Sequence, residues 1–446
     1  MCGTTSQVGQ TQVGGAVSVD RLTKWLEEKF LPVAGKVAGW RYMVAARNSF
    51  FSSIPFILVG SLFLIVAFAR IPGYETWVQP YIGKLMNPFN MTMGLLSIWI
   101  ALSYGYSLAQ QYGLNPLVGA MSSLMGFFII AAPLVEGNLS GAYLGGTGIF
   151  AALLVATFSV EVYRFFITRN IVIKLPDSVP PMIGASFSAI LPLLAEVLVL
   201  DIIANWFKWD IPGLIMKAFV PLVTAGDSFI AVVFLAFLVA LLFYMGIHGW
   251  AVVLGVVGPI ELANNQANAA AHAAGLPMPH VLTEPFFAAW GSIGGTTTAA
   301  ALVIWLLFAK SKQLKQVGRL AAVPSLLVNV HEPAMFGVPT VLNPYFFFPV
   351  VFTYPILAAI TWITMNLGWV TKPFIYVPWS TPEPFYPWLA TGGDWRAVAL
   401  MFFNLAIALL IYYPFVRAYD RMLVKKESGE VAADASGQRE TPVTAD

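Results

Sequence analysis

The sequence is poor in both cysteine and charge. Its 446 residues contain a single cysteine, Cys2, which excludes internal disulfides and cysteine-ligated clusters. Only 10% of the residues are charged, whereas soluble domains carry about 25%. The formal net charge of +2 is too small to indicate a nucleic-acid partner.

Hydrophobic sequence takes the place of charge. Hydrophobic residues make up 58% of the chain, and the mean hydropathy is +0.75. Water cannot solvate so apolar a surface, so lipid must be the solvent for much of it. The sequence therefore predicts an all-α polytopic membrane protein.

Long apolar runs give the expected number of membrane crossings. A spanning helix needs roughly 20 mostly apolar residues, and about ten segments qualify. The long run from 213 to 261 is the least regular, because Gly226-Asp227-Ser228 interrupts it. The candidate spans lie near 49–70, 93–112, 115–136, 145–163, 182–205, 213–246, 247–261, 285–308, 340–366 and 397–416.

Basic residues predict the orientation. Lys and Arg collect in cytoplasmic loops. With the N-terminus inside, ten crossings place every strong basic cluster on the cytoplasmic side, together with the C-terminus. The clusters are at 24–47, 164–174, 310–319 and 417–426.

The ends of the chain have a different composition. Residues 1–20 and 427–446 are polar, which is typical of disordered tails. Residues 21–31 carry apolar side chains at helical spacing between charges. They are interpreted as an amphipathic helix on the cytoplasmic face, or as a short helix packed against the bundle.

The segment 329–344 is the strongest candidate site. It holds Asn329, His331, Glu332 and three prolines between apolar runs. So many prolines cannot sit in one straight helix, and broken backbone at membrane depth occurs only where it lines a cavity or is buried in protein. A re-entrant hairpin or unwound turn that presents His331 and Glu332 to a polar pocket is predicted. A cytoplasmic loop is the alternative.

Three further segments carry polar or aromatic candidates. His248 lies between two glycines that permit close backbone approach, although a lone histidine is often structural. Residues 174–187 resemble a loop that enters a helix, with a simple turn as the alternative. Trp379 could stack on a ligand or anchor at the membrane interface. Asp394 and Arg396 could simply pair at the mouth of the last span.

Acidic residues also occur in or beside apolar runs. Ionisable residues at membrane depth are functional candidates by default, but these residues fit no constellation and could be interfacial. They are Glu161, Glu196, Asp201, Glu261 and Glu284.

Taken together, the segments resemble the membrane-embedded enzyme IIC of the lactose/cellobiose/diacetylchitobiose family of the phosphoenolpyruvate-dependent sugar phosphotransferase system. The resemblance runs from roughly residue 20 to 425 and depends on the combination of motifs. The motifs lie at 47–50, 54–56, 60–61, 176–181, 246–249, 294–296, 331–333, 336–337, 342–344, 377–379 and 392–396.

The resemblance implies a multi-pass protein of the bacterial inner membrane, a homodimer of ten-helix protomers with re-entrant hairpins. Residues 21–210 would hold the amphipathic helix and the dimerisation scaffold, and residues 211–426 would bind and move the sugar. A phosphocysteine on a separate IIB subunit would donate the phosphoryl group to the sugar 6-hydroxyl. The implied partners are phospho-IIB, the sugar and membrane lipid, with no cofactor or metal.

The resemblance also assigns residues. Glu332 and His248 would surround the acceptor hydroxyl, and either could accept its proton as a general base. The implied substrate-binding residues are Asn329, His331, Trp379, Gly184, Ser186 and Phe243.

Departures from the family pattern leave the sugar open. Many relatives have Asn at the position of His331, and some that bind N-acetylated disaccharides have Trp at the position of Phe243. His272 and His280, in the Ala-rich segment 261–281, match no motif. A β-linked disaccharide such as cellobiose, lactose or diacetylchitobiose is expected.

Two other functions are compatible with intramembrane Glu and His residues. An ion-coupled sugar symporter would deliver unmodified sugar. A membrane sensor would bind sugar without uptake.

Overall fold

The computed structural model describes residues 36, 39–69, 72–135, 137–176 and 181–435. The expected tail at 1–20, the amphipathic segment at 21–31, residues 177–180 of the proline-rich motif and residues 436–446 lie outside the described residues. Within the described ranges the protein is helical, apart from one short hairpin. The prediction of an all-α polytopic membrane protein is confirmed.

The first half of the described chain ends at Trp206. Its one hairpin, β1 (Leu134–Val135) with β2 (Asn138–Leu139), is antiparallel and pairs Leu134 with Leu139. The helices are α1 (Arg41–Phe68), α2 (Tyr74–Val78), α3 (Ile82–Thr92), α4 (Leu96–Gln111), α5 (Pro116–Ala131), α6 (Ile149–Thr168) and α7 (Pro181–Asp201), with a π-helical turn at Ile202–Trp206.

The second half begins at α8. Side-chain caps define the N-termini of two of its helices. The Asp210 carboxylate accepts a hydrogen bond from the Gly213 amide at the start of α8, and the Ser228 hydroxyl accepts one from the Ala231 amide at the start of α9. The helices are α8 (Ile211–Gly226), α9 (Phe229–Tyr244), α10 (Gly249–Ala273), α11 (Glu284–Trp290), α12 (Ala299–Leu307), α13 (Lys312–Val328), α14 (Glu332–Gly337), α15 (Phe347–Asn366), α16 (Phe385–Ala390) and α17 (Trp395–Ala435).

Six helices of the described chain are long and apolar enough to cross a membrane. The pair α8 and α9 adds a seventh if it counts as one span, bent by 75° at the predicted Gly226-Asp227-Ser228 break. The six stretches are Arg41–Phe68, Tyr74–Gln111, Gly146–Thr168, Ser186–Trp206, Phe347–Asn366 and Trp395–Ser428.

Two expected elements differ in the structure. The expected span 285–308 is two helices, α11 and α12, separated by residues 291–298. Gly294, Gly295, Thr297 and Thr298 all have positive φ there, a conformation that cannot continue a right-handed helix. The last helix continues to Ala435, past residue 427, where the sequence predicted a polar tail.

The second half packs directly on the first through α10. The Arg47 guanidinium on α1 donates to the Ala251 carbonyl at 3.4 Å, and Gln266 donates to the Met93 carbonyl at 3.0 Å. Buried side chains of both halves belong to one hydrophobic core. The start of α10, where His248 lies, is therefore held against the first half.

Candidate functional site

His248 immediately precedes α10 and caps that helix. Its Nδ1 accepts a hydrogen bond from the Ala251 amide at 3.2 Å. The side chain is otherwise exposed. Capping occupies one ring nitrogen, so Nε2 is the nitrogen that His248 can offer to a ligand.

His331 and Glu332 lie at a break between two helices. Helix α13 ends at Val328. The next residue, Asn329, adopts the left-handed conformation with φ of 55°, and α14 begins at Glu332. This is the unwound turn that the prolines predicted. The His331 side chain is 6% exposed and that of Glu332 is 48% exposed, with His331 Nδ1 3.8 Å from Glu332 Oε2.

Phe243, near the end of α9, joins the two histidines. Its ring centroid lies 4.9 Å from that of His248 and 5.1 Å from that of His331. Phe243 itself is buried. We call Phe243, His248, His331 and Glu332 the site cluster. Residues far apart in sequence thus meet at one place.

Asn329 braces this site through its side-chain amide. Its Nδ2 donates to the carbonyls of Trp379 and Thr381 at 2.9 and 3.1 Å, and its Oδ1 accepts from the Gly294 amide at 3.1 Å. These three bonds hold three segments together. Asn329 was predicted to bind sugar hydroxyls, and in this conformation such a bond requires an exchange of partners.

Trp379 lies on the segment that Asn329 holds. Its side chain is 53% exposed, so its ring face is available to a ligand. The Tyr386 hydroxyl lies 3.1 Å from the Val377 carbonyl and supports the same segment from the other side. The backbone that carries Trp379 is therefore fixed relative to the site cluster.

Gly184 and Ser186 lie elsewhere in the fold. Both are on α7, which packs mainly against α5 and α6 of the first half. Ser186 is exposed, and a Cβ at Gly184 would meet nothing within 4 Å. These contacts do not bring the two residues to the site cluster.

The Asp394–Arg396 interpretation is confirmed. Arg396 Nε and Nη2 donate to the two carboxylate oxygens of Asp394 at 2.9 and 3.0 Å, and the Thr371 amide and hydroxyl donate at 3.0 and 2.7 Å. Burial would raise the pKa of Asp394, but these hydrogen bonds lower it to about 2. This ion pair has a structural role at the start of α17.

The isolated acidic residues fall into separate environments. Glu196 is buried and accepts a hydrogen bond from Ser122. Glu284 lies 3.2 Å from the Tyr386 hydroxyl, and Glu261 is buried nearby. A charged residue within an apolar run was the only sequence signal for them. In the described ranges, no group of three or more His, Cys, Asp or Glu residues could hold a metal ion.

Comparison with known proteins gives concordant matches. Residues 47–353 match the family model described as phosphotransferase system, EIIC. The cellobiose-specific EIIC component of Geobacillus stearothermophilus is 35% identical over 440 residues, 92% of this chain and 97% of that protein. The lactose-specific EIICB component of Staphylococcus haemolyticus is 33% identical over 92% of this chain and 73% of its own length.

A solved structure agrees with these matches. It is that of the transporter ChbC, the IIC component from the N,N'-diacetylchitobiose-specific phosphotransferase system. The two chains superpose with a TM-score of 0.86 at 32% identity, over 91% of this chain and 99% of the other.

Proposed function

The chain belongs to the EIIC family of the phosphotransferase system, and on that premise we propose that it phosphorylates a β-linked disaccharide with Glu332 as the general base. It is a sugar-specific permease, the multi-pass membrane component of that system, and acts with a IIB component. The family assignment does not favour the ion-coupled symporter. The observation that carries the proposal is the site cluster, in which a half-exposed Glu332 lies 3.8 Å from His331, and the Phe243 ring contacts both His331 and His248.

The cap on α10 separates the roles of Glu332 and His248. A neutral imidazole carries one proton, and Nδ1 of His248 accepts a hydrogen bond, so its proton belongs on Nε2. In that tautomer, His248 can donate a hydrogen bond but cannot accept one at Nε2. Glu332 is therefore the base, and His248 donates to an oxygen of the sugar or of the transferring phosphoryl group.

The proposed phosphoryl transfer needs no cofactor. The 6-hydroxyl oxygen of the sugar attacks the phosphorus of the IIB phosphocysteine, and its proton passes to Glu332. The new O–P bond forms as the S–P bond breaks, and the electron pair of that bond leaves with the cysteine thiolate. Phosphoryl transfer otherwise depends on alignment and charge neutralisation, and the Nε2–H of His248 contributes to both.

The relatives support the substrate class and the donor. They are named for cellobiose, lactose and diacetylchitobiose, which are all β-linked disaccharides. The lactose-specific relative is an EIICB protein, which joins the two components in one chain. We therefore expect phospho-IIB as the donor here. Trp379 supplies a stacking face, and Gly184 and Ser186 join the sugar site only if α7 approaches the second half.

The proposed architecture is a homodimer with ten crossings and both termini in the cytoplasm. Six long helices and the bent α8–α9 pair supply part of that count. The shorter α5, the broken α11–α12 segment and α10 would supply the rest. The basic clusters support the orientation. Residues 21–210 form the scaffold, and residues 211–426 form the half that moves the sugar.

Uptake in membrane vesicles tests the proposal. Labelled cellobiose, lactose and diacetylchitobiose are supplied with and without purified phospho-IIB, and the sugar inside is analysed for phosphate. We expect phosphorylated sugar that depends on IIB and is lost in Glu332→Gln. Free sugar that accumulates without IIB would contradict group translocation.

A further inference from the structure

The imidazole of His331 is unusually well fixed. The ring is buried, and Phe243 contacts it with an interplanar angle of 66°. On another side lies Gly295, where a Cβ would come within 2.5 Å of His331 Cβ and 2.7 Å of Nδ1. The His331 carbonyl also accepts from the amides of Ala334 and Met335 at 3.0 Å. The ring therefore has little freedom to turn.

The neighbouring carboxylate is much less constrained. Glu332 has a flexible side chain that is 48% exposed, and its Oε2 lies 3.8 Å from His331 Nδ1. That separation is longer than a hydrogen bond, so a bond between the two groups requires a rotation of the Glu332 side chain. A half-exposed carboxylate thus lies beside the nitrogen of a buried imidazole.

We propose that His331 is the positioning residue of Glu332, whose carboxylate it holds toward the sugar hydroxyl by donating a hydrogen bond from Nδ1. The inference rests on the proposed role of Glu332 as base. A donor that bonds to the ionised carboxylate stabilises that form and limits its rotamers. His331 thereby keeps Glu332 aligned for proton transfer, without contacting the reacting atoms.

Few groups around His331 could accept a hydrogen bond from its Nδ1. Phe243 from α9 and Gly295 from the loop before α12 carry no charge. The titratable groups that face His331 are Glu332 on its own segment and His248 at the start of α10. The acceptor nitrogen of His248, Nδ1, already accepts a hydrogen bond in the helix cap, so Glu332 is the group that can accept one from His331.

The test is a pH profile of IIB-dependent sugar phosphorylation for wild type, His331→Leu and His331→Asn. Leu removes the donor, whereas Asn keeps an amide N–H. In His331→Leu we expect kcat to fall about tenfold with KM little changed. The acid limb of kcat/KM should move up by about 0.5–1 pH unit. His331→Asn should restore most of the wild-type kcat and most of the wild-type position of the acid limb.

Two further variants keep the test decisive. Phe243→Leu leaves His331 in place but loosens it, and should shift the acid limb in the same direction by less. It decides the question if His331→Leu does not fold. His280→Asn is the matched control, because this histidine pairs with Asp227 at 3.5 Å, outside the site cluster. Its profile should match that of wild type.

The outcomes separate this inference from the proposed function. An unchanged acid limb and kcat in folded His331→Leu and Phe243→Leu, with Glu332→Gln inactive, would overturn the positioning role alone. A Glu332→Gln variant that phosphorylates sugar at the wild-type rate would overturn the proposed function instead.

Discussion

Two polar clusters of this protein contain a glutamate beside aromatic rings, and they differ in how many partners the carboxylate has. In the first half, Tyr42, Tyr112, Glu161 and Arg164 form a closed set. One carboxylate oxygen of Glu161 accepts from both tyrosine hydroxyls, and the other accepts from Arg164 at 2.9 Å. The Arg41 and Arg164 guanidinium groups also lie over the Tyr112 ring.

The site cluster of the second half is open by comparison. Among the described residues, the ionisable side chain paired with the Glu332 carboxylate is that of His331, at 3.8 Å. His248 likewise uses only one ring nitrogen in its helix cap. A carboxylate that already accepts three hydrogen bonds has less capacity for a ligand than one that is half exposed and loosely paired. The comparison therefore favours a structural role for Glu161 and supports the chemical role proposed for Glu332.

The largest expected effect comes from removing the open carboxylate. Glu332→Gln should lower the rate of IIB-dependent phosphorylation by about 10²–10⁴-fold, the usual contribution of a general base. His248→Gln should cost less, because His248 donates a hydrogen bond and takes no proton. Single-turnover rates of both variants with phospho-IIB measure the difference. A greater loss in folded His248→Gln would reverse the two assignments.

Removal of the Asn329 brace should have the next largest effect. Asn329→Ala breaks three hydrogen bonds that tie Gly294, Trp379 and Thr381 together. The Gly294 amide is buried, and leaving such a group unsatisfied costs about 1–3 kcal/mol. Because the segment that carries Trp379 is also released, we expect the dissociation constant for sugar to rise at least about tenfold. Calorimetric titration of purified protein measures it.

Asn343→Ala is the control for the Asn329 brace. Asn343 also donates to a backbone carbonyl, that of Pro339, but in an exposed position. Equal affinities in the two variants would show that the brace does not organise the site.

The sequence predicted where the helical backbone of this site is interrupted. The prolines after Asn329 indicated the break between α13 and α14. The partners of each side chain could not be predicted, because they come from distant segments. The Asn329 amide illustrates this, since its acceptors lie 50 and 52 residues away.

The fold was likewise predicted at the level of its class. Long apolar runs identified the helices, but the expected single span at 285–308 is broken where four residues adopt positive φ. Composition carries no signal for such a local conformation. The histidines of the Ala-rich segment also gained an explanation only from the structure. His272 stacks on Phe374 at 3.9 Å, and His280 pairs with Asp227.

The stacking role of Trp379 predicts a smaller effect than the brace. An aromatic contact contributes about 0.5–1.5 kcal/mol beyond the area it buries. We therefore expect Trp379→Ala to raise the dissociation constant for sugar about tenfold, and Trp379→Phe to recover part of the loss. Trp369→Ala is the control, because Trp369 is also exposed, at 64%, but lies on the segment that follows α15. Unchanged affinity in Trp379→Ala would indicate an interfacial anchor.

The smallest effect is expected in the closed cluster of the first half. Glu161→Gln keeps the shape of the side chain but removes the charge that Arg164 pairs with. Because both side chains are partly exposed, at 42% for Arg164 and 31% for Glu161, their ion pair contributes little. We expect the melting temperature to fall by about 2 °C, with the rate of phosphorylation unchanged. A folded Glu161→Gln protein that no longer phosphorylates sugar would show that a carboxylate with every oxygen bonded can still be essential. The number of hydrogen-bond partners of the glutamate carboxylate would then not distinguish the two clusters.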